Sequence, residues 1–195
     1  NEFEGFLKRL QNFEQDEART AEADSLTKLE TFEPKLGVTQ EAFSTPAEIQ
    51  YVAVGGDFSE VAHNYGALRV VRHLLNFDYL WNEVRVKGGA YGVSCQFNRV
   101  GEGYFASYRD PNLQATIDTY RNAAAYLENY DAQEREVTKT IIGTISGMDT
   151  PLTPNMKGRR SITAYLTEQS IEELQKTRDQ VLACSIEDIR KLAPV

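Results

Sequence analysis

The sequence predicts an α+β domain in which helices cover one face of a small antiparallel sheet. EIQYVAVGG at 48–56 alternates as a half-buried strand does and stops at a glycine pair. YGVSCQFN (91–98) and GYFASYR (103–109) are two more strand-like runs, and the short RVGEG connection between them predicts a hairpin. Helical patterns fill the rest, most of them after the hairpin. Locally paired strands with helices grouped afterward give an α+β layer, not alternating β-α-β units.

Taken in order, Phe3, Phe6, Leu7, Leu10 and Phe13 recur at helical spacing. An acid-rich stretch and a weakly patterned segment with Pro34, Gly37 and Pro46 follow, so residues 1–46 read as a helix and linker leading into a domain at 47–195. Val61, Tyr65, Leu68, Val71, Leu75, Leu80, Trp81 and Val84 predict one long helix running into Arg85. Gly88 and Gly89 end it, because glycine tolerates the left-handed conformation just past helix ends.

Asp110-Pro111 predicts a helix start, with an acceptor at the cap and proline at the first position. Leu113, Ile117, Tyr120, Ala124 and Leu127 continue that helix. Val137, Ile141 and Ile145 mark the next, which stops at DTPLTP. Ser170 with Glu173, and Ser185 with Asp188, open two more. The chain stops at LAPV directly after the last helix, which predicts a domain truncated at its C-terminus.

Composition narrows the function. The 195 residues are 41% hydrophobic and 26% charged, as in packed globular domains. A net charge of −8, from 21 basic against 29 acidic residues, argues against nucleic acid as a partner. KGRR at 157–160 reads as a solvated basic turn. No apolar run is long enough to span a bilayer, and NEFEGFLKRL has no secretion-signal pattern. Cys95 and Cys184 read as buried small hydrophobes in a reducing compartment. His63 and His73 are ten residues apart, about 15 Å along a helix at 1.5 Å per residue, too far for one metal.

The stretch RVKGGAYG at 85–92 is the first candidate site. A phosphate loop follows a strand and opens a helix, whereas these glycines follow a helix and precede a strand. The helix end facing them carries partial negative charge, which disfavours phosphate and favours Arg85 and Lys87 as dipole partners. Two readings stay open on spacing alone: a basic last turn with a glycine stop, or Arg85 and Tyr91 converging across the turn as donors to a developing oxyanion. Tyr108 and Arg109 in FASYRDPN are further groove candidates.

VRVKGGAYG, then GYFASYRDPN, an LxxTIDxY-type helix and GMDTPLTPNMKGRRS together resemble, over residues 47–193, the C-terminal half of presequence-protease-type peptidases. These are zinc metallopeptidases of the pitrilysin/insulinase clan. The resemblance implies a mitochondrial-processing-peptidase-like domain, in an enzyme whose two halves close a chamber around unfolded peptides. It implies that zinc, its histidines and a general-base glutamate sit in the N-terminal half, in an HxxEH motif absent from this sequence. It assigns Arg85 and Tyr91 to the active site, with Gly88 and Gly89 in the substrate-binding turn. The implied partners are unfolded peptides and the N-terminal half of the same polypeptide, with no nucleic acid and no membrane. The implied setting is bacterial cytoplasm or an organelle matrix. A chain of this kind alone would hold no zinc and cleave nothing. The competing class is a non-catalytic scaffold subunit of the same clan, and a nucleotide-binding module using KGGAYG is a third.

Overall fold

The computed structural model describes residues 40–193. Contacts divide the chain into Asn1–Thr45 and Pro46–Val195, and the sheet and helices described belong to the second unit. The helix expected at 3–13 and the linker through residue 39 lie outside the described residues.

Three strands, β1 (Gln50–Asp57), β2 (Gly92–Phe97) and β3 (Glu102–Asp110), form an antiparallel sheet in the order β1-β3-β2. The β2–β3 hairpin brings Cys95 opposite Phe105 and Gly92 opposite Tyr108. Val52, Cys95 and Phe97 are buried on the inner face, while Tyr51, Tyr104 and Tyr108 are exposed. That is the alternation the sequence predicts for a sheet covered on one side.

The inner face is covered by a helical run after β1. A 3₁₀ turn (Ser59–Asn64) leads into α1 (Tyr65–Leu74) and two wider π-helical segments, Leu75–Tyr79 and Trp81–Lys87. The sequence predicts this stretch as one uniform helix; the structure widens its second half. The apolar spacing supplies the reason. Leu75 and Leu80 are five apart and Val84 four further on, yet all three are buried. A regular α-helix would turn the fifth residue away from the core, and the wider turn keeps it inward. Trp81, read from sequence as part of the buried stripe, is 42% exposed.

Six further helices follow: α2 (Gln114–Arg121), α3 (Ala123–Glu128), α4 (Glu134–Met148), α5 (Pro154–Leu166), α6 (Ile171–Leu182) and α7 (Ile186–Lys191). Asp110 does not cap a helix at once. It ends β3 fully buried, accepting from the Asn112 N–H (2.9 Å) and the Thr116 hydroxyl (2.8 Å), and α2 starts at Gln114. KGRR lies within α5, opened by the Thr153 cap and Pro154, and is not a turn. Both predicted Ser caps form complete capping boxes, at Ser170–Glu173 and Ser185–Asp188.

The core centres on Val70, Leu75, Leu80, Cys95, Val181 and Ile189. Helix α6 comes so close to α1 that a Cβ at Gly66 would overlap Gln180 and the Thr177 carbonyl. On the sheet side, Asn76 makes the principal tie. Its amide donates to the Cys95 carbonyl (3.0 Å) and accepts from the Cys95 N–H (2.8 Å), as a neighbouring strand would. Arg72 adds a hydrogen bond to Gln96 (2.7 Å) and Tyr65 one to the Phe97 carbonyl (3.4 Å). The edge strand β2 is thus held by helix side chains, which cover backbone groups that would otherwise stay unpaired.

Two outcomes follow. Asn76→Ala strips two backbone groups of a fully buried residue of their partner and should cost about 3 kcal/mol in urea unfolding. Unfolding free energy within error of the parent would contradict this role. His73 packs against Phe77 (4.6 Å between ring centres) and lies over Gly143. Burial, and secondarily the Arg72 charge, pushes its imidazole below the usual range. The fold therefore favours neutral His73, and its contribution is complete above the unfolded value near 6.5 and lost as pH falls below it. Urea midpoints at pH 7.5 and 5.5 should drop more for the parent than for His73→Gln.

Candidate functional site

The site grows from the end of the π-helical run. Arg85 lies in the last turn, and its guanidinium stacks over the Trp81 ring at 4.0 Å, four residues earlier on the same face. Trp81 was readable at that spacing, but its apolar character hid it among core residues. Lys87 pairs with Glu83 at 2.6 Å, so its charge is engaged within the helix.

The turn that follows is tightly tied. The Gly88 N–H donates to Glu83 O (3.0 Å), Gly89 N–H to Arg85 O (3.0 Å) and Ala90 N–H to Val84 O (3.1 Å). Gly89 has φ +80°, where glycine carries no penalty, and a Cβ on Gly88 would lie 2.5 Å from the Val84 carbonyl oxygen. From across the sheet, Asn112 Nδ2 donates to the Gly88 carbonyl (2.6 Å). Both glycines are therefore required by the backbone path.

Tyr91 emerges from this turn 66% exposed. Its N–H donates to the Arg109 carbonyl (3.3 Å). Its ring meets Tyr108 edge-on at 5.7 Å, and Tyr108 meets Tyr51 edge-on at 5.3 Å. The three phenols form a row from the residue before β2 across β3 to β1. Tyr51, Ala53, Gly92, Ser94, Ala106 and Tyr108 border a shallow cavity of about 450 Å³ beside them. Small side chains on its floor and aromatic rings at its end suit an extended chain lying on the sheet.

Arg85 and Tyr91 thus flank one rigid turn, Arg85 set by Trp81 and Tyr91 by Tyr108; no hydrogen bond, ion pair or ring contact among the described residues joins the two. Tyr108 was a groove candidate from sequence. Tyr51 was not, because only the sheet register sets it beside Tyr108. Arg109, also a groove candidate, contributes through its backbone.

The remaining reactive groups are in other surroundings. Burial pushes the Cys95 and Cys184 thiols up to about 12, so neither is a nucleophilic thiolate near neutral pH. Burial likewise pushes the inner-face Tyr120 phenol up to about 12. Among the described residues no three His, Cys, Asp or Glu side chains cluster to hold a metal ion. No described helix is long and apolar enough to cross a membrane.

This fold is shared with protease domains of known structure. A protease from Helicobacter pylori superposes with a TM-score of 0.61 at 16% identity, over 85% of this chain and 47% of that one. The inactive peptidase domain of a Bordetella parapertussis protein does so with 0.56 at 16% identity, over 73% and 83%. In sequence, the profile described as PreP C-terminal domain matches residues 40–195, and the chain belongs to that family. Protein HypA of Clostridium perfringens is 44% identical over 167 residues, which cover 85% of this chain and 17% of the relative. Presequence protease 1, chloroplastic/mitochondrial, of Arabidopsis thaliana is 34% identical over 85% of this chain and 16% of the relative. The chain spans about a sixth of the length of these curated relatives.

Proposed function

We propose that this chain is the C-terminal, substrate-binding part of a zinc-dependent peptidase that degrades unfolded peptides in a closed chamber. The observation that carries the reading is the Arg85–Tyr91 turn: a basic and a phenolic donor flank a braced glycine turn at the edge of an open sheet face. Membership of the PreP C-terminal domain family supports it.

Tyr91 donates its phenolic hydrogen to the scissile carbonyl oxygen as that oxygen gains charge. Arg85, stacked on Trp81, holds the substrate backbone or the same oxygen with a fixed positive charge. Donors fixed beforehand stabilise the transition state without reorganising during the reaction. Gly88 and Gly89 give a peptide close approach to the backbone.

The described residues of this chain do not fit zinc, since no suitable donor set is grouped among them. The metal and general base belong to the N-terminal half, which closes over this domain and completes the site. The setting is bacterial cytoplasm or an organelle matrix, in keeping with the compartments in the Arabidopsis relative's name. Arg85 and Tyr91 together favour a working peptidase over a scaffold subunit.

In the full-length polypeptide, Tyr91→Phe should lower kcat about 100-fold with KM nearly unchanged, as for loss of one oxyanion donor elsewhere. Arg85→Ala should lower kcat/KM. Normal hydrolysis of an unfolded peptide by both variants would remove the assignment. The 195-residue chain alone, supplied with zinc, should release no product from the same peptide, and chelator-sensitive cleavage by pure material would count against the two-half reading.

A further inference from the structure

We propose that Tyr108 is a positioning residue for Tyr91, and that the β-bulge at Arg109 exists to hold it there. The proposal rests on the reading of Tyr91 as donor to the scissile carbonyl. The braced turn fixes the Tyr91 backbone, but the residue is 66% exposed, so the backbone alone does not fix its phenol. A donor acts by preorganisation only if its ring is held. The described contact that holds it is the edge of Tyr108, at 5.7 Å and 69° between ring planes. Tyr108 is braced on its other side by Tyr51, at 5.3 Å and 72°.

The end of β3 shows how Tyr108 comes to face outward. Ser107 and Asp110 are both buried, although residues three apart on a regular strand point to opposite faces. Pairing shifts between Gln50↔Asp110 and Val52↔Ser107, so Tyr51 alone opposes Tyr108 and Arg109. Arg109 takes φ +50°, an uncommon conformation for a residue with a Cβ. The extra residue reconciles two demands. Asp110 turns inward to accept from Thr116 (2.8 Å) and the Asn112 N–H (2.9 Å), while Tyr108 stays outward beside Tyr91. Without it, one of the two would face the wrong side.

The same bulge holds the backbone of Tyr91, whose N–H donates to the Arg109 carbonyl (3.3 Å). Just beyond it, Asn112 Nδ2 binds the Gly88 carbonyl (2.6 Å) and fixes the start of the turn. Ring and backbone of Tyr91 therefore rest on one short segment, Tyr108–Asn112. Observed strain at the point that supports a functional side chain is the pattern expected when local conformation serves the site.

The test is a double-mutant cycle in the full-length polypeptide, read as kcat and KM on an unfolded peptide, with circular dichroism and Tm as folding controls. Tyr108→Ala, and Tyr108→Leu, which keeps the bulk, should each lower kcat at saturating peptide about tenfold, as for a donor displaced but not lost; Tyr108 also borders the sheet-face cavity, so KM rises as well and kcat is the deciding readout. Tyr108→Phe should restore kcat, since the ring and not the hydroxyl does the holding. On a Tyr91→Phe background, Tyr108→Ala should cost less than about twofold more, because the donor it positions is gone. Normal kcat in folded Tyr108→Leu, or an undiminished tenfold loss on the Tyr91→Phe background, would overturn the proposal while leaving Tyr91 in its role. Normal kcat in Tyr91→Phe would instead overturn the reading of Tyr91, and this proposal with it.

Discussion

The pairing of the Asn76 side chain with both backbone groups of Cys95 is the constraint on which the rest of the site depends. An amide carries a donor and an acceptor side by side, so it can stand in for a strand neighbour. It sits in the first π-helical segment, and its partner lies near the middle of β2. One residue thus couples the helix that carries Arg85 in its last turn to the strand beginning just after Tyr91. The turn between them spans two elements already locked together, which makes its path reproducible.

The widened helix is the second half of that logic. Leu75, Leu80 and Val84 must all face the core, and a regular α-helix cannot satisfy their spacing. The π-helical turns that solve this carry Trp81 and Arg85 on their accessible side, one above the other. Core packing thereby sets the direction of a charged side chain near the sheet edge. The glycines then reverse the chain, Gly88 where a Cβ would meet the Val84 carbonyl and Gly89 at φ +80°, and Asn112 closes the arrangement from the far end of β3.

Much of this was legible in the sequence, for identifiable reasons. The β1 segment, the β2–β3 hairpin, the glycine stop and the two serine capping boxes rest on interactions within a few residues, which local pattern reports directly. Arg85 and Tyr91 were legible as candidates because they bracket that stop. The misreadings have different causes. Trp81 looked like core because apolar character does not reveal which face a widened helix turns outward. Asp110 looked like a cap because its buried partner, Thr116, is a tertiary matter. KGRR looked like a turn although Thr153 and Pro154 announce the helix that contains it.

The amino-acid sequence by itself determined the kinds and order of elements, the chain reversal after Arg85 and the absence of a zinc motif, since these depend on side-chain chemistry and short-range backbone preference. Only the tertiary structure decided which residues meet around that reversal. The Tyr51–Tyr108–Tyr91 row requires a sheet register, and the register requires an extra residue at Arg109. Register is settled by the competition between burying Asp110 and exposing Tyr108, which involves groups from both strands and the following helix. No window of sequence contains all of them.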